Sequence, residues 1–509
     1  MPDCSKSFAA LCAVLTLTGG CRGECLVNLN TPQCDIRYPR STLSVHSISR
    51  IPSSTEDVFV DLDSNFTISG TESVGRRWSL TPFDEGWAIG MPLVNTVLAV
   101  PPAHGPDGLS TCDNWWRIEQ LDSDENTIRF SPDGDTACQN TAAVSLWQGE
   151  GSFGQTVAAT DVDGDGILDL WVGAPDTNLQ QGSLHLFLNP AENQTPDLTL
   201  MGTNSGEQIG NNLAVCGDVN GDGIGDTLVG TPYLHQTTAR SNPRGSGGAV
   251  LLQSGQLGDL SEEQTLFTAE RGWTGEGTSE HAGLALWCGS DLTGDMYADL
   301  LISAPFSNQC ANTQEGVQCG AVYLIPGGPN VLQTGTLASH SIRTFTGQTD
   351  RGFCGSSVTA GDINNDGKPE ILIGCPGANG GNGRVDIYEG QDLLNANQGP
   401  AVTLTGNASS TSQAHLGALL HLADVRGTGF QGLFAGAPYQ PAANDSIQSG
   451  QIFFWSNANL RQALAESTSP DATYLYQGTN PFESVGKKFL PVPRSDSPAQ
   501  DLIIFTRNQ

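Results

Sequence analysis

Acidic residues recur along this chain at the alternate spacing that wraps oxygen atoms around one hard cation. Asp161, Asp163, Asp165 and Asp169 stand at positions 1, 3, 5 and 9 of one loop, with the Ile167 carbonyl available at position 7. Alternation turns the oxygens inward, and Gly164 and Gly166 allow the tight turn. Three further loops repeat the arrangement. They present Asp218, Asn220, Asp222 and Asp226 with the Ile224 carbonyl; Asp291, Thr293, Asp295 and Asp299 with Tyr297; and Asp362, Asn364, Asp366 and Glu370 with Lys368. Every donor is oxygen, which favours calcium over softer metals, so about four calcium ions are expected. A fifth loop keeps Asp424 but has Arg426, Thr428 and Gly432 at the next ligand positions, and is expected to hold no cation.

An EF-hand opens in the same way but needs a bidentate acid at position 12. Val172, Val229, Ile302 and Ile373 stand there instead. Catalytic patterns are missing. The eight histidines form neither HExxH nor HxH, and GxSxG, a P-loop and CxxC do not occur. His415 and His421, which flank the fifth loop, read as packed or surface histidines.

The loops belong to a repeat. Each opens a segment that ends in proline fourteen residues after its first acid, at Pro175, Pro232, Pro305, Pro376 and Pro438. The distances between segments vary instead, at 57, 73, 71 and 62 residues. A constant core joined by tolerant loops marks one supersecondary unit used repeatedly. A small or apolar residue and a glycine precede each core, as in Phe153-Gly154 and Ile209-Gly210. A strand opened by glycine follows it (from Gly182, Gly248, Gly320, Gly383 and Gly450), and then a fourth apolar run such as Asp197-LTLMG. Four short strands joined by turns predict an antiparallel meander, and several meanders set radially predict a β-propeller.

Phe-Gly, then DxDxDGxxxD, then Gly-Ala-Pro resembles the FG-GAP repeat of integrin α subunits and of many bacterial exported proteins. The resemblance covers about residues 57–509 and includes two degenerate copies, Val74-Gly75 with Val97–Pro102 and Val485-Gly486 with Asp501–Phe505. Counting both gives seven units. The resemblance implies an all-β, seven-bladed β-propeller of four-stranded antiparallel blades. N-terminal strands at Asp57–Leu62 and Asn65–Gly70 are expected to complete the last blade. It also implies an adhesion or ligand-binding module rather than an enzyme, with a propeller-borne hydrolase or polysaccharide lyase as the alternative. Integrin α propellers use the face away from their calcium loops for ligand. In a meander that face carries the loops after each proline, with Tyr233, His235, Arg240, Arg244, Phe306, Asn308, Tyr439 and Asn444, joined by Arg271 and Trp273 before the third acidic loop. Aromatic and arginine side chains are the usual anchors of recognition, and here they point to a protein or glycan ligand at a cell surface.

A net charge of −32 argues against nucleic acid or an anionic membrane as partner. The N-terminus reads as an export signal over 1–20, with Lys6 before the apolar run Phe8–Leu17. Leu17-Thr18-Gly19-Gly20-Cys21 resembles a bacterial lipoprotein box with Thr18 where leucine is expected, so lipid anchoring at Cys21 in the cell envelope and plain secretion both stay open. Residues 21–56 read as a linker. Thirteen cysteines fit an oxidising compartment. Once Cys4, Cys12 and Cys21 are set aside, Cys25, Cys34, Cys112, Cys138, Cys216, Cys288, Cys310, Cys319, Cys354 and Cys375 remain for disulfides. Short loops favour Cys25–Cys34, Cys112–Cys138 and Cys310–Cys319, and the overall connectivity is open.

Overall fold

The apolar runs that follow the acidic loops form strands buried on both faces. Asp169–Ala174, Leu300–Ala304, Glu370–Cys375 and Gly432–Ala437 are buried at every residue. A strand covered on both sides reads as continuous apolar sequence rather than as alternation. The computed structural model describes strands at 40–47, 62–71, 79–83, 86–91, 96–100, 116–122, 127–132 and 142–144. It also describes the chain from 146 to 504 apart from 191–194, 235–246, 253–262, 267–271, 312–316, 332–334, 396–397, 406–412, 426, 442–448, 473, 478–483 and 494–499. The export signal, Cys21, Cys25, Cys34, Cys112, Cys138 and the expected strand at 57–61 lie outside the described residues.

Six sheets, each built on four antiparallel strands and two of them extended by a fifth, parallel strand, follow one another in chain order among the described residues. Sheet 1 is built from Ser79–Phe83, Gly86–Met91, Thr96–Val100 and Leu146–Gln148, and sheet 2 from Thr156–Thr160, Asp169–Ala174, Ser183–Phe187 and Leu198–Met201. Sheet 3 has Asn212–Val215, Thr227–Gly230, Gly248–Leu252 and Trp273–Thr274; sheet 4 has Leu286–Cys288, Leu300–Ala304, Ala321–Ile325 and Arg343–Thr346. Sheet 5 has Ser357–Gly361, Glu370–Cys375, Arg384–Tyr388 and Val402–Thr405, and sheet 6 has Leu420–Ala423, Gly432–Ala437, Gln451–Trp455 and Tyr474–Gln477. The first strands of successive sheets are neighbours, and the core lies between sheets. Leu170 and Val172 pack toward sheet 1 with Val97 and Trp147, whereas Trp171, on the other side of the same strand, packs with Val229 and Val250 of sheet 3. This is the arrangement of β-propeller blades.

Outer edges are sealed by the following repeat. The segment Glu263–Thr265 adds in parallel to Leu198–Met201, and Gly335–Thr336 adds to Trp273–Thr274. Arg343, on the outer strand of sheet 4, donates to the Asp392, Leu393 and Gln398 carbonyls at 2.6, 2.8 and 2.5 Å. The helix Asn457–Glu466 buries Leu460, Ala463 and Leu464 in one cluster with Val402 and Leu404 of sheet 5. In each case the cap comes from the link between the third and fourth strands of the next sheet.

Two features differ from the sequence reading. The stretch read as a linker carries a strand, Arg40–Ser47, which pairs antiparallel with Leu62–Thr71. Arg40–Ser47 also runs beside Gln500–Ile504, the partner of Phe489–Pro493 at the chain end. A three-stranded antiparallel sheet, Trp116–Asp122, Thr127–Pro132 and Ala142–Val144, is inserted between the third and fourth strands of sheet 1.

Three disulfides join described residues: Cys216–Cys288, Cys310–Cys319 and Cys354–Cys375. The first ties sheet 3 to sheet 4 at the ends of their first strands. No helix among the described residues is long and apolar enough to cross a membrane.

Candidate functional site

The acidic loops join first to second strands, and the loops after each proline join second to third strands, so the two sets lie at opposite ends of the sheets.

At the acidic end, four loops share one hydrogen-bond plan. The first acid accepts backbone N–H groups from across the turn: Asp161 from Gly164 and Gly166 at 2.7 and 2.9 Å, and Asp218 from Gly221 and Gly223 at 2.6 and 2.8 Å. Asp291 accepts from Gly294 and Met296 at 2.6 and 2.7 Å, and Asp362 from Gly367 at 2.9 Å. The ninth residue is fully buried and accepts from the second: Asp169 from Val162, Asp226 from Val219, Asp299 from Leu292 and Glu370 from Ile363, at 2.7–3.0 Å. Burial lifts three of these carboxyls. Asp169 is raised, Asp299 reaches about 6 and Glu370 about 7, although backbone N–H groups oppose the rise. Burial also works to raise Asp291, yet its backbone donors hold it below the usual range. Oxygens of Asp161, Asp163 and Asp169 lie within 4.8 Å of one another, close enough to share one ion. The donor set fits a hard divalent cation, which would offset the cost of gathering several carboxylates in a half-dry loop.

The third loop carries a strain that the others avoid. Its sixth residue, Met296, has φ +78° and is 91% exposed, where Gly166, Gly223 and Gly367 hold φ of +86°, +91° and +82°. A Cβ in that region costs about 1 kcal/mol or more. Met296→Gly is therefore expected to raise the unfolding free energy of the chelated protein by about 1 kcal/mol, read by urea denaturation; a loss of stability would refute the strain. The fifth loop keeps the first-acid bond, with Asp424 accepting from Gly429 N–H at 2.5 Å, but has Gly432 in place of the ninth carboxylate. The Asp424 backbone exchanges two 2.9 Å bonds with Gln500 of the terminal strand pair. Arg426 lies outside the described residues.

At the opposite end, four half-exposed rings from three sheets touch in sequence. Tyr233 meets His281 at 5.0 Å, His281 meets Phe306 at 4.8 Å, and Phe306 meets Phe353 at 5.3 Å between centroids. Sheet 6 repeats the motif with His415 against Tyr439 at 4.9 Å. His281, Phe353 and His415 all have positive φ, between +51° and +59°. Burial keeps His281 and His415 below the usual histidine range, hence neutral at pH 7. The sequence reading found Tyr233, Phe306 and Tyr439 but not His281, which joins Tyr233 to Phe306, or Phe353, and it read His415, the partner of Tyr439, as a packed or surface histidine. Its placement of Trp273 here is corrected: Trp273 pairs with Ala249 in sheet 3 and is 1% exposed, a core residue. His235, Arg240, Arg244, Arg271 and Asn444 lie outside the described residues, and Asn308 accepts from Gln318 N–H at 2.9 Å.

The family profile for the FG-GAP repeat matches residues 153–187 and 355–388. Integrin alpha-PS2 of Drosophila melanogaster is 32% identical over 169 residues, 31% of this chain and 12% of that protein. Integrin alpha-IIb of Mus musculus is 37% identical over 163 residues (30% and 15% of the two chains), and integrin alpha-8 of Homo sapiens 28% over 245 residues (48% and 21%). Residues 153–187 and 355–388 are thus FG-GAP repeats, and the chain is similar to integrin α subunits over the spans given. Its matches span no more than 21% of the length of those three relatives.

The structure shows why an FG-GAP unit needs both of its glycines. The GAP glycine of one repeat lies against the FG glycine carbonyl of the next: Gly173 on Gly210, Gly230 on Gly283, Gly374 on Gly417 and Gly436 on Gly486. A Cβ at the GAP position would overlap that carbonyl, and the FG glycines hold φ between +84° and +89°. In these four repeats the GAP glycine is thus half of a backbone contact with the next repeat, whereas Ser303 stands at that position in the repeat of the third acidic loop.

Proposed function

We propose that this FG-GAP protein is a calcium-stabilised, seven-bladed propeller that binds a protein or glycan ligand at a cell surface, and that it is not an enzyme. The carrying observation is the division of labour between the two ends. Cation-type loops occupy one end, and a run of touching, half-exposed rings occupies the other. The seventh blade would combine Phe489–Pro493 and Gln500–Ile504 with Arg40–Ser47 and Leu62–Thr71, in line with the position of Arg40–Ser47 beside the terminal strand. Closure of this kind removes two sheet edges. The disulfides support an exported, oxidising setting. Partly desolvated aromatic side chains are common binding anchors, each costing about 2 kcal/mol or more when truncated.

Tyr233, Phe306 and Tyr439 changed together to alanine are expected to weaken binding at least about a hundredfold, with calcium affinity unchanged. Glycan arrays and pull-downs of surface proteins, run with the intact and the altered chain, supply the measurement. Undiminished binding by the triple variant would move the ligand site elsewhere.

A further inference from the structure

Loops 2 and 4 hold the carboxylate at position 5 with an amide from inside the loop. Asn220 Nδ2 donates to Asp222 Oδ2 at 3.0 Å, and Asn364 Nδ2 donates to Asp366 Oδ2 at 3.1 Å. The first loop has Asp163 at position 3, where those loops have asparagine, and so has no such amide of its own. The donor comes from elsewhere: Asn189, beyond the third strand of sheet 2, reaches back with Nδ2 to Asp165 Oδ2 at 3.1 Å. The same residue donates its backbone N–H to Asp169 Oδ1 at 3.1 Å. Gly327 and Gly390 make that backbone bond in the third and fourth loops, to Asp299 at 2.9 Å and Glu370 at 3.3 Å, but carry no side chain. Asn189 holds the left-handed φ of +47° that asparagine tolerates, and its Oδ1 is buried without a hydrogen-bond partner.

We infer that Asn189 is a positioning residue for the cation of the first loop, and that with it this loop binds calcium tightest of the four. The inference rests on the calcium reading above. The amide of Asn189 fixes the Asp165 carboxylate from outside the loop, which releases position 3 to be a fourth carboxylate rather than an amide. The first loop thus combines four ligand carboxylates with an oriented position 5, whereas loops 2 and 4 give up one charge to obtain the same orientation. Loop 3 has Thr293 at position 3 and a glycine where Asn189 would be. Outer partners of metal ligands commonly change affinity about 10–100-fold.

Calcium calorimetry on the full chain tests this, with Asp161→Ala marking the first site. The intact protein is expected to show one ion bound more tightly than the rest, absent from Asp161→Ala. Asn189→Gly, the residue found at the matching places 327 and 390, is expected to weaken that ion about tenfold or more and leave the weaker class alone. Asn189→Asp retains a side chain and the backbone N–H but not the amide donor, and is expected to show the same loss. Asp163→Asn returns an amide to position 3, so it should weaken the site less in the Asn189→Gly background than in the intact protein. An unaltered tight ion in both Asn189 variants, or strictly additive effects of the two changes, would overturn the assignment. Absence of calcium binding by the intact chain would instead defeat the calcium reading itself. Melting of each variant in chelator separates a folding defect from a lost ligand set.

Discussion

Chelation of calcium is expected to lower the unfolding free energy by roughly 5 to 6 kcal/mol. Extracellular calcium modules bind at roughly 10⁻⁴ to 10⁻³ M, and free calcium at about ten times the dissociation constant adds about 1.4 kcal/mol per site. Four loops then contribute an amount comparable with the whole stability of an ordinary domain. The structure gives the loss a location. The buried acids Asp169, Asp299 and Glu370 are lifted by burial, so in the metal-free state their ionised forms oppose folding above their ordinary titration range. Thermal melts with and without chelator, paired with calorimetry, measure the effect, and Asp163→Ala should remove about one site's share. Identical melts, together with no heat of calcium binding, would leave the acidic loops without a cation role.

The second large effect is expected from the bond between Cys216 and Cys288, whose sequence separation of 72 is the longest of the three disulfides. In the chain-entropy account, a loop of that length constrains the unfolded chain by about 4 kcal/mol. Cys310–Cys319 spans only nine residues and should contribute about 2.5 kcal/mol on the same scale. Cys216→Ala with Cys288→Ala should therefore shift the urea midpoint further than Cys310→Ala with Cys319→Ala. The reverse order would show that local packing, rather than the constraint on the unfolded chain, governs these bonds.

Much of the blade plan was legible because it depends on local rules. Glycine opens the third strand of sheets 2 to 6, and their second strand reads as a continuous apolar run because both of its faces are covered. The acids at positions 1 and 9 were legible for a related reason: the turn itself needs them, as the bonds of Asp161 and Asp169 to backbone N–H groups show. What escaped the reading lies where one repeat touches another. Trp273 looked like a loop aromatic because only two residues, Trp273–Thr274, form the fourth strand of sheet 3. Nothing so short has a period to detect. His281, Phe353 and His415 do share a position, two residues before the glycine of their repeats, and an alignment on that glycine would have gathered them. The inserted strands 116–144 carry neither the full DxDxDGxxxD run nor Gly-Ala-Pro and so fell outside the pattern that defined the repeats. Asn189 was invisible for a different reason: its partner Asp165 is 24 residues away, and the meaning of the pair depends on what stands at 163.

The overlapping caps on the sheet edges also impose an order in time. Sheet 2 is sealed by residues 263–265, sheet 3 by 335–336, and sheet 5 by the helix Asn457–Glu466. A chain that emerges N-terminus first must therefore carry each new blade with one raw edge until most of the following repeat has appeared. For sheets 2 to 5 the unprotected length stays near one repeat, so each of these edges waits only for the repeat that follows it. A ribosome or translocon pausing within a link between third and fourth strands would hold such an edge open longest, and those links are where a stalled chain would be most prone to pair with its neighbour.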